Sequence, residues 1–175
     1  MLSCDRKDLN FMKTNIVLIG LMGVGKTTIG KRLSSVLDMS FTDSDENIEK
    51  SFGKISDLFL EGEQKFRDCE SKIIRCLSSL ENIIISTGGG VVLRPENMEA
   101  LRRKGVIFYL KRPIEDILLS VNTKVRPLIK DNPEALYQLL EERDPLYSKY
   151  CDYVINTTDI KSAVLSIKAI WDKIS

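Results

Sequence analysis

The chain has 175 residues, with 26 Lys and Arg against 25 Asp and Glu, a formal net charge of +1 and no histidine. At 43% apolar and 29% charged residues, the composition is that of a globular protein long enough to bury its own core, which excludes a coiled coil, a collagen-like chain and a disordered tail. The balanced charge provides no overall field to recruit nucleic acid or an anionic membrane, and the missing histidine removes Ser-His-Asp and Cys-His hydrolases and HExxH metalloproteases.

No run approaches the roughly 18 apolar residues of a membrane span, and the N-terminus MLSCDRKDLNFMK is charged where a signal peptide is apolar, so a cytoplasmic protein is expected. Cys4, Cys69, Cys76 and Cys151 show no CxxC pairing and read as small buried residues or free thiols. No repeat or Pro/Gly/Ser-rich linker divides the chain, which reads as a single domain over 1–175, with residues 1–13 as a flexible extension.

The elements then follow in order. NIVLIG (15–20) predicts a strand, residues 25–37 a helix, and the stretch around MSFTD (39–43) a second strand. A long helix over 62–80 carries Phe66, Cys69, Ile73, Leu77 and Leu80 at spacings of three and four. NIIIST (82–87), VIFYL (106–110) and YVIN (153–156) are the remaining strands, and 159–173 is a closing helix with Ile160, Val164, Ile167 and Ile170 on one side. Five short runs that are apolar at nearly every position, alternating with helices, predict a three-layer α/β/α domain around a five-stranded parallel sheet. Its functional loops then lie at the carboxyl ends of the strands. Asn122 to Pro133 (NTKVRPLIKDNP) is polar, contains two prolines and reads as a mobile lid.

Gly20-Leu21-Met22-Gly23-Val24-Gly25-Lys26-Thr27 fits GxxxxGK[ST] directly after the first strand and before the first helix. Glycines let inward-turned amides cradle phosphates, Lys26 supplies charge to the β- and γ-phosphates, and the Thr27 hydroxyl is placed for Mg2+. ATP is therefore expected against Gly23, Val24, Gly25, Lys26, Thr27 and Thr28. A switch GTPase is disfavoured, because no NKxD and no DxxG after a strand is present. The third strand ends in Thr87 and three glycines rather than in an acid, so Asp43 and Asp45 are the nearest carboxylates for a metal.

Other positions support two readings each. Asp43 and Asp45 leave a strand end at i and i+2 and should point the same way, toward the crevice; the plain alternative is a helix cap at Ser44 or Asp45. Arg67 neighbours Phe66 at the border of the apolar stripe, flanked by Glu63 at i−4 and Glu70 at i+3, and its plain reading is a solvated Glu63–Arg67 pair. Arg143 follows Leu136, Leu139 and Leu140 at helical spacing, which puts a guanidinium on an apolar face where it calls for an anion, unless Pro145 ends the helix. Gly88, Gly89 and Gly90 are either a plain turn or bare backbone for close approach to a ligand.

The ordered set of phosphate loop, FTDSD (41–45), GEQKFRDCE (62–70), STGGG (86–90), VRPLI (125–129) and ERDPLY (142–147) resembles the shikimate kinases over residues from about 14 to about 171. The resemblance implies a nucleoside-monophosphate-kinase-like fold and transfer of the ATP γ-phosphoryl group to the 3-hydroxyl of shikimate in the chorismate pathway, with Mg2+. It implies Asp43 and Thr27 near the metal, Asp45 on the attacking hydroxyl, and Arg67 and Arg143 on the shikimate carboxylate. Gly88 to Gly90, with Gly89 at the family's binding position, would contact the acceptor, and Arg126 in the lid would offset charge on the phosphates. A monomer is expected. One departure is Leu119, seven residues before Arg126, where many members carry an arginine that stacks on adenine; Thr157 and Thr158 are candidates to supply part of that contact. A gluconate- or nucleotide-type kinase and a non-catalytic nucleotide-binding regulator stay open as alternatives.

Overall fold

The computed structural model describes residues 12–120 and 133–174. In chain order these form β1 (Asn15–Ile19), α1 (Lys26–Leu37), β2 (Ser40–Asp43), α2 (Ser44–Phe52), α3 (Ile55–Leu60), α4 (Glu63–Ser79) and β3 (Ile83–Ser86). A 3-10 turn at Val91–Leu93, α5 (Pro95–Lys104), β4 (Gly105–Lys111), α6 (Ile114–Ser120), α7 (Pro133–Tyr150), β5 (Tyr153–Asn156) and α8 (Ile160–Ile174) complete it. The strands pair in the order β2-β3-β1-β4-β5, all parallel.

The pleat divides the core in two. Ile16 and Leu18 of β1, with Val106, Phe108 and Leu110 of β4, face α1, α6 and α8, whereas Val17, Ile19, Ile107 and Tyr109 face α2, α4 and α5. Each inner strand therefore has to be apolar on both sides, and β1 and β3 are buried throughout. Trp171 and Cys69 are core residues, as their apolar spacing implies. The edge strands β2 and β5 are only partly covered, and their composition is more polar to match.

Two expectations are corrected here. Pro133 does not belong to a loop: it opens α7, where a fixed φ and a missing N–H suit the first helical turn. Pro145 does not end that helix, which continues to Tyr150. Glu141, whose carbonyl loses its partner to the proline, lies on the same exposed side as Pro145, so water can satisfy it. The remainder of the expected lid, with Arg126, and the extension over residues 1–11 fall outside the described residues. None of the described helices is long and apolar enough to cross a membrane.

Candidate active site

β1 delivers the phosphate loop to the carboxyl edge of the sheet. Gly23 (φ 84°) and Gly25 (φ 101°) adopt left-handed backbone that a side chain would strain, and Gly25 caps α1, so the helix's amino end opens onto the loop. The Lys26 ammonium donates to the carbonyls of Gly20 (2.7 Å) and Leu21 (2.8 Å). Val24 turns its side chain into the core, 2% exposed, so it can offer a ligand only its backbone. Thr28 is exposed.

The loop is braced from behind by Thr157, which is fully buried and donates its hydroxyl to the Val24 carbonyl at 2.8 Å, while its amide donates to Lys111 at 2.9 Å. Thr157 therefore does not reach a base, and Thr158, bonded to Asn156, is the exposed member of the pair. Thr157→Val keeps the shape but removes the donor. It is expected to destabilise the fold by about 1–2 kcal/mol and to weaken ATP binding several-fold with acceptor binding unchanged, as read by thermal melts and calorimetric titration.

Asp43 ends β2 and caps α2, accepting the Asp45 amide on Oδ1 at 3.0 Å. Its Oδ2 accepts the hydroxyls of Thr27 at 2.8 Å and Ser86 at 2.9 Å, which joins the phosphate loop to β2 and β3. Asp45 is thus a first-turn helix residue and not an extended one: the i and i+2 alternation of a strand does not apply, and the cap is carried by Asp43 itself. Helix α2 nevertheless leaves the Asp45 carboxyl facing the glycine loop.

That loop is enclosed by charge. A Cβ on Gly88 would come 2.6 Å from Asp45 Oδ1 and 3.2 Å from Glu70 Oε1, and one on Gly90 would run into the Arg67 guanidinium. Gly89 backs onto the phosphate loop, its Cβ direction pointing to the Met22 amide at 3.4 Å. The Gly88 amide donates to the Ser44 hydroxyl at 2.9 Å. Bare backbone is required because side chains from both sides already touch it.

Arg67 lies in α4 and is 8% exposed. Its Nη1 donates to Glu70 at 2.9 Å, and Nε and Nη2 share Glu63 Oε1 at 3.3 and 3.2 Å. Glu70 is fully buried; burial pushes its carboxyl above the ordinary range, Arg67 pulls it back down, and the Asp45 charge raises it further. The expected Glu63–Arg67 pair is present, with an exposed Glu63, and a second, internal pair to the buried Glu70 accompanies it.

Arg143 is half-buried in α7, and its Nε is buried with no hydrogen-bond partner among the described residues. It lies beside the hydroxyl of Tyr147, whose pKa burial pushes up to about 12 while the charges of Arg143 and Arg67 oppose the shift. Two guanidiniums from different helices thus approach one buried phenol. Asp45 and Arg67 are brought together against Gly88 and Gly90, Arg143 joins them through Tyr147, which bonds Gly89, and Thr27 and Asp43 meet next to the phosphate loop. Leu119 is 87% exposed. From sequence Ser44 reads only as a helix cap, and Ser86 and Tyr147 take no role. The hydroxyls carry no motif, whereas Tyr147, one turn beyond Arg143, could have been found by helical spacing.

The shikimate kinase family model matches residues 22–174. The chain belongs to the shikimate kinase family. It is 48% identical to a shikimate kinase of Caldicellulosiruptor bescii over 161 residues, 89% of this chain and 92% of the relative. Among solved structures, the shikimate kinase of Acinetobacter baumannii in complex with shikimate superposes with a TM-score of 0.84 at 36% identity, covering 93% of this chain and 95% of that one. The Aquifex aeolicus shikimate kinase gives 0.78 at 34% identity over 90% and 96% of the two chains. As a shikimate kinase, the chain is a phosphotransferase with the phosphate-loop fold and uses ATP as co-substrate.

Proposed function

We propose that this chain transfers the γ-phosphoryl group of ATP to the 3-hydroxyl of shikimate, and that Asp45, Arg67, Arg143 and the Gly88–Gly90 loop hold the acceptor. The observation that carries the reading is the convergence of Arg67 and Arg143 beside a glycine loop whose other side is the phosphate loop. Two guanidiniums, one with a buried Nε that no described residue takes up, suit a planar carboxylate, and Asp45 next to them suits alcohols.

The chain's own residues divide the work. Amides of the phosphate loop and the amino end of α1 hold the triphosphate, and Lys26 exchanges the carbonyls of Gly20 and Leu21 for the β- and γ-oxygens. Arg67, held against rotation by Glu63 and Glu70, and Arg143 fix the acid end of the acceptor. Asp45 orients the attacking hydroxyl and takes its proton. Arg126 offsets charge on the transferring group.

The oxygen set at Asp43 fits Mg2+. Hydroxyls and a carboxylate are hard donors, and among the described residues no group of three or more His, Cys, Asp or Glu forms a protein cage. This matches an ion held by one or two protein groups together with nucleotide phosphates. Thr27 and Asp43 would hold it, and the bound ion supplies neutralisation of the phosphate oxygens. The chain acts in this reading as one cytoplasmic kinase domain, monomeric, in aromatic amino acid biosynthesis.

A coupled ADP-release assay with Mg-ATP over shikimate, gluconate and nucleoside monophosphates tests it. Turnover with shikimate at least about a hundredfold above the others is expected. Preference for another acceptor, or tight ATP binding without turnover, would overturn it.

A further inference from the structure

Tyr147 is buried, and its hydroxyl bonds the glycine loop that lies between the acceptor side and the phosphate loop. It is fully buried in α7, its ring stacks on Tyr109 of β4 at a centroid distance of 4.9 Å, and its hydroxyl donates to the Gly89 carbonyl at 2.5 Å. The Cβ direction of Gly89 points to Met22 N at 3.4 Å, Gly20 O at 3.6 Å and the Tyr147 hydroxyl at 3.7 Å, so this residue is wedged between the phosphate loop and α7. Its neighbours Gly88 and Gly90 pack on Asp45 and on Arg67.

We infer that Tyr147 is a positioning residue for phosphoryl transfer: its bond to Gly89 fixes the glycine loop at the separation that brings the acceptor hydroxyl into line with the γ-phosphate. This deepens the acceptor reading above and rests on it. The phenol is suited to the task because its partner is a backbone carbonyl, so the bond fixes the main chain of the loop itself, and because it is anchored independently. Tyr109, on which it stacks, donates to Asp144 at 2.7 Å, and Lys111 donates to the same carboxylate oxygen at 2.8 Å, so α7 is pinned to the end of β4 beside Arg143. Burial raises the Tyr147 pKa to about 12. The hydroxyl therefore stays a donor throughout any assay range, and its role is geometric, not acid–base.

A residue of this kind has a kinetic signature. Arg67 and Arg143 still grip the acceptor when the loop relaxes, so ground-state binding persists while alignment is lost. Tyr147→Phe retains the ring stack and deletes the hydroxyl, and with it the donor to Gly89 and the oxygen that faces Arg143. The expected result is a fall in kcat of about tenfold, with the shikimate KM changed less than about threefold and the ATP Kd, by calorimetry, within about twofold. The shape of the pH–rate profile should match that of the parent protein. Unchanged kcat would overturn the inference, as would a loss spread equally over ATP affinity, or a changed pH profile. Amide exchange on the unmodified protein gives an answer independent of the variant's folding. The amide of Val91, which closes the glycine turn on the Gly88 carbonyl, should exchange slowly in the absence of ligand, and fast exchange there would also overturn it. If the parent protein does not phosphorylate shikimate, the acceptor reading fails; if it does and Y147F matches it, only the role of Tyr147 fails.

Discussion

Arg67→Ala is expected to raise the shikimate KM by about a hundredfold and to destabilise the protein by about 3–5 kcal/mol, with ATP affinity little changed. Both effects come from one side chain because Arg67 faces two ways. Toward the glycine loop its guanidinium is the proposed clamp on the acceptor carboxylate. Toward the core it is the 2.9 Å partner of Glu70, which is 0% exposed. Glu63 contributes little to the balance, since its side chain is 61% exposed and water screens the pair.

The pH dependence separates the two roles. In the native fold burial raises the Glu70 pKa, and the charge and hydrogen bond of Arg67 are the largest opposing effects, with a smaller one from the Arg94 charge. Removing Arg67 leaves burial and the Asp45 charge opposed only by the smaller effect of Arg94, so the folded-state value moves further above the ordinary 4.5. An acid with a raised folded pKa binds its proton more tightly when folded, so its contribution to stability is greatest at low pH and falls as pH rises from the ordinary value through the folded one. The melting temperature of R67A should therefore drop further below that of the parent protein at about pH 8 than at about pH 5. R67A/E70Q should recover most of the stability and none of the acceptor affinity. A shikimate KM that stays at the parent value in R67A would remove Arg67 from the site.

The fold was legible because its signals are strong and local. Each strand and each of the three predicted helices lies within one residue of its expected bounds. Inner strands of a doubly covered parallel sheet must be apolar at successive positions, and few other elements read that way. The phosphate loop was legible for a related reason: Gly, Lys and Thr are each demanded by a separate atom of the ligand. What sequence could not supply was the direction of a side chain at an element boundary. Asp43 and Asp45 look equivalent at i and i+2 until α2 is seen to begin at Ser44, one residue after β2 ends. Thr157 looks like a loop hydroxyl available to a base until the Val24 carbonyl is found behind it. The Glu63–Arg67 pair was legible from helical spacing, but that Glu70 is a second and fully buried partner is decided by burial, which spacing does not give. Short helices such as α3 went unseen because six residues hold too little periodicity.

Asp45→Asn is expected to lower kcat by about 10²- to 10⁴-fold, with the ATP Kd within about twofold and a melting temperature equal to or above that of the parent protein. The substitution keeps the shape and the backbone amide that Asp43 Oδ1 accepts, so the cap of α2 and the oxygen cluster at Thr27 and Ser86 survive. It removes the charge that helps to hold Glu70 above its ordinary range, which relieves repulsion inside the fold. Loss of activity without loss of stability is the pattern of a group whose placement costs the fold and serves the reaction. An amide in this place offers a donor where the attacking hydroxyl must give up its proton, so both orientation and proton acceptance suffer. If positioning dominates in a loose phosphoryl-transfer transition state, the loss should sit near the lower end of that range and be insensitive to pH. If Asp45 is the base, kcat of the parent protein should fall with acidification along the carboxylate's own titration, and that dependence should vanish in D45N. A D45N protein that loses ATP binding in proportion to activity would assign Asp45 to the phosphate side of the loop, and the acceptor would then have to be held by the arginines alone.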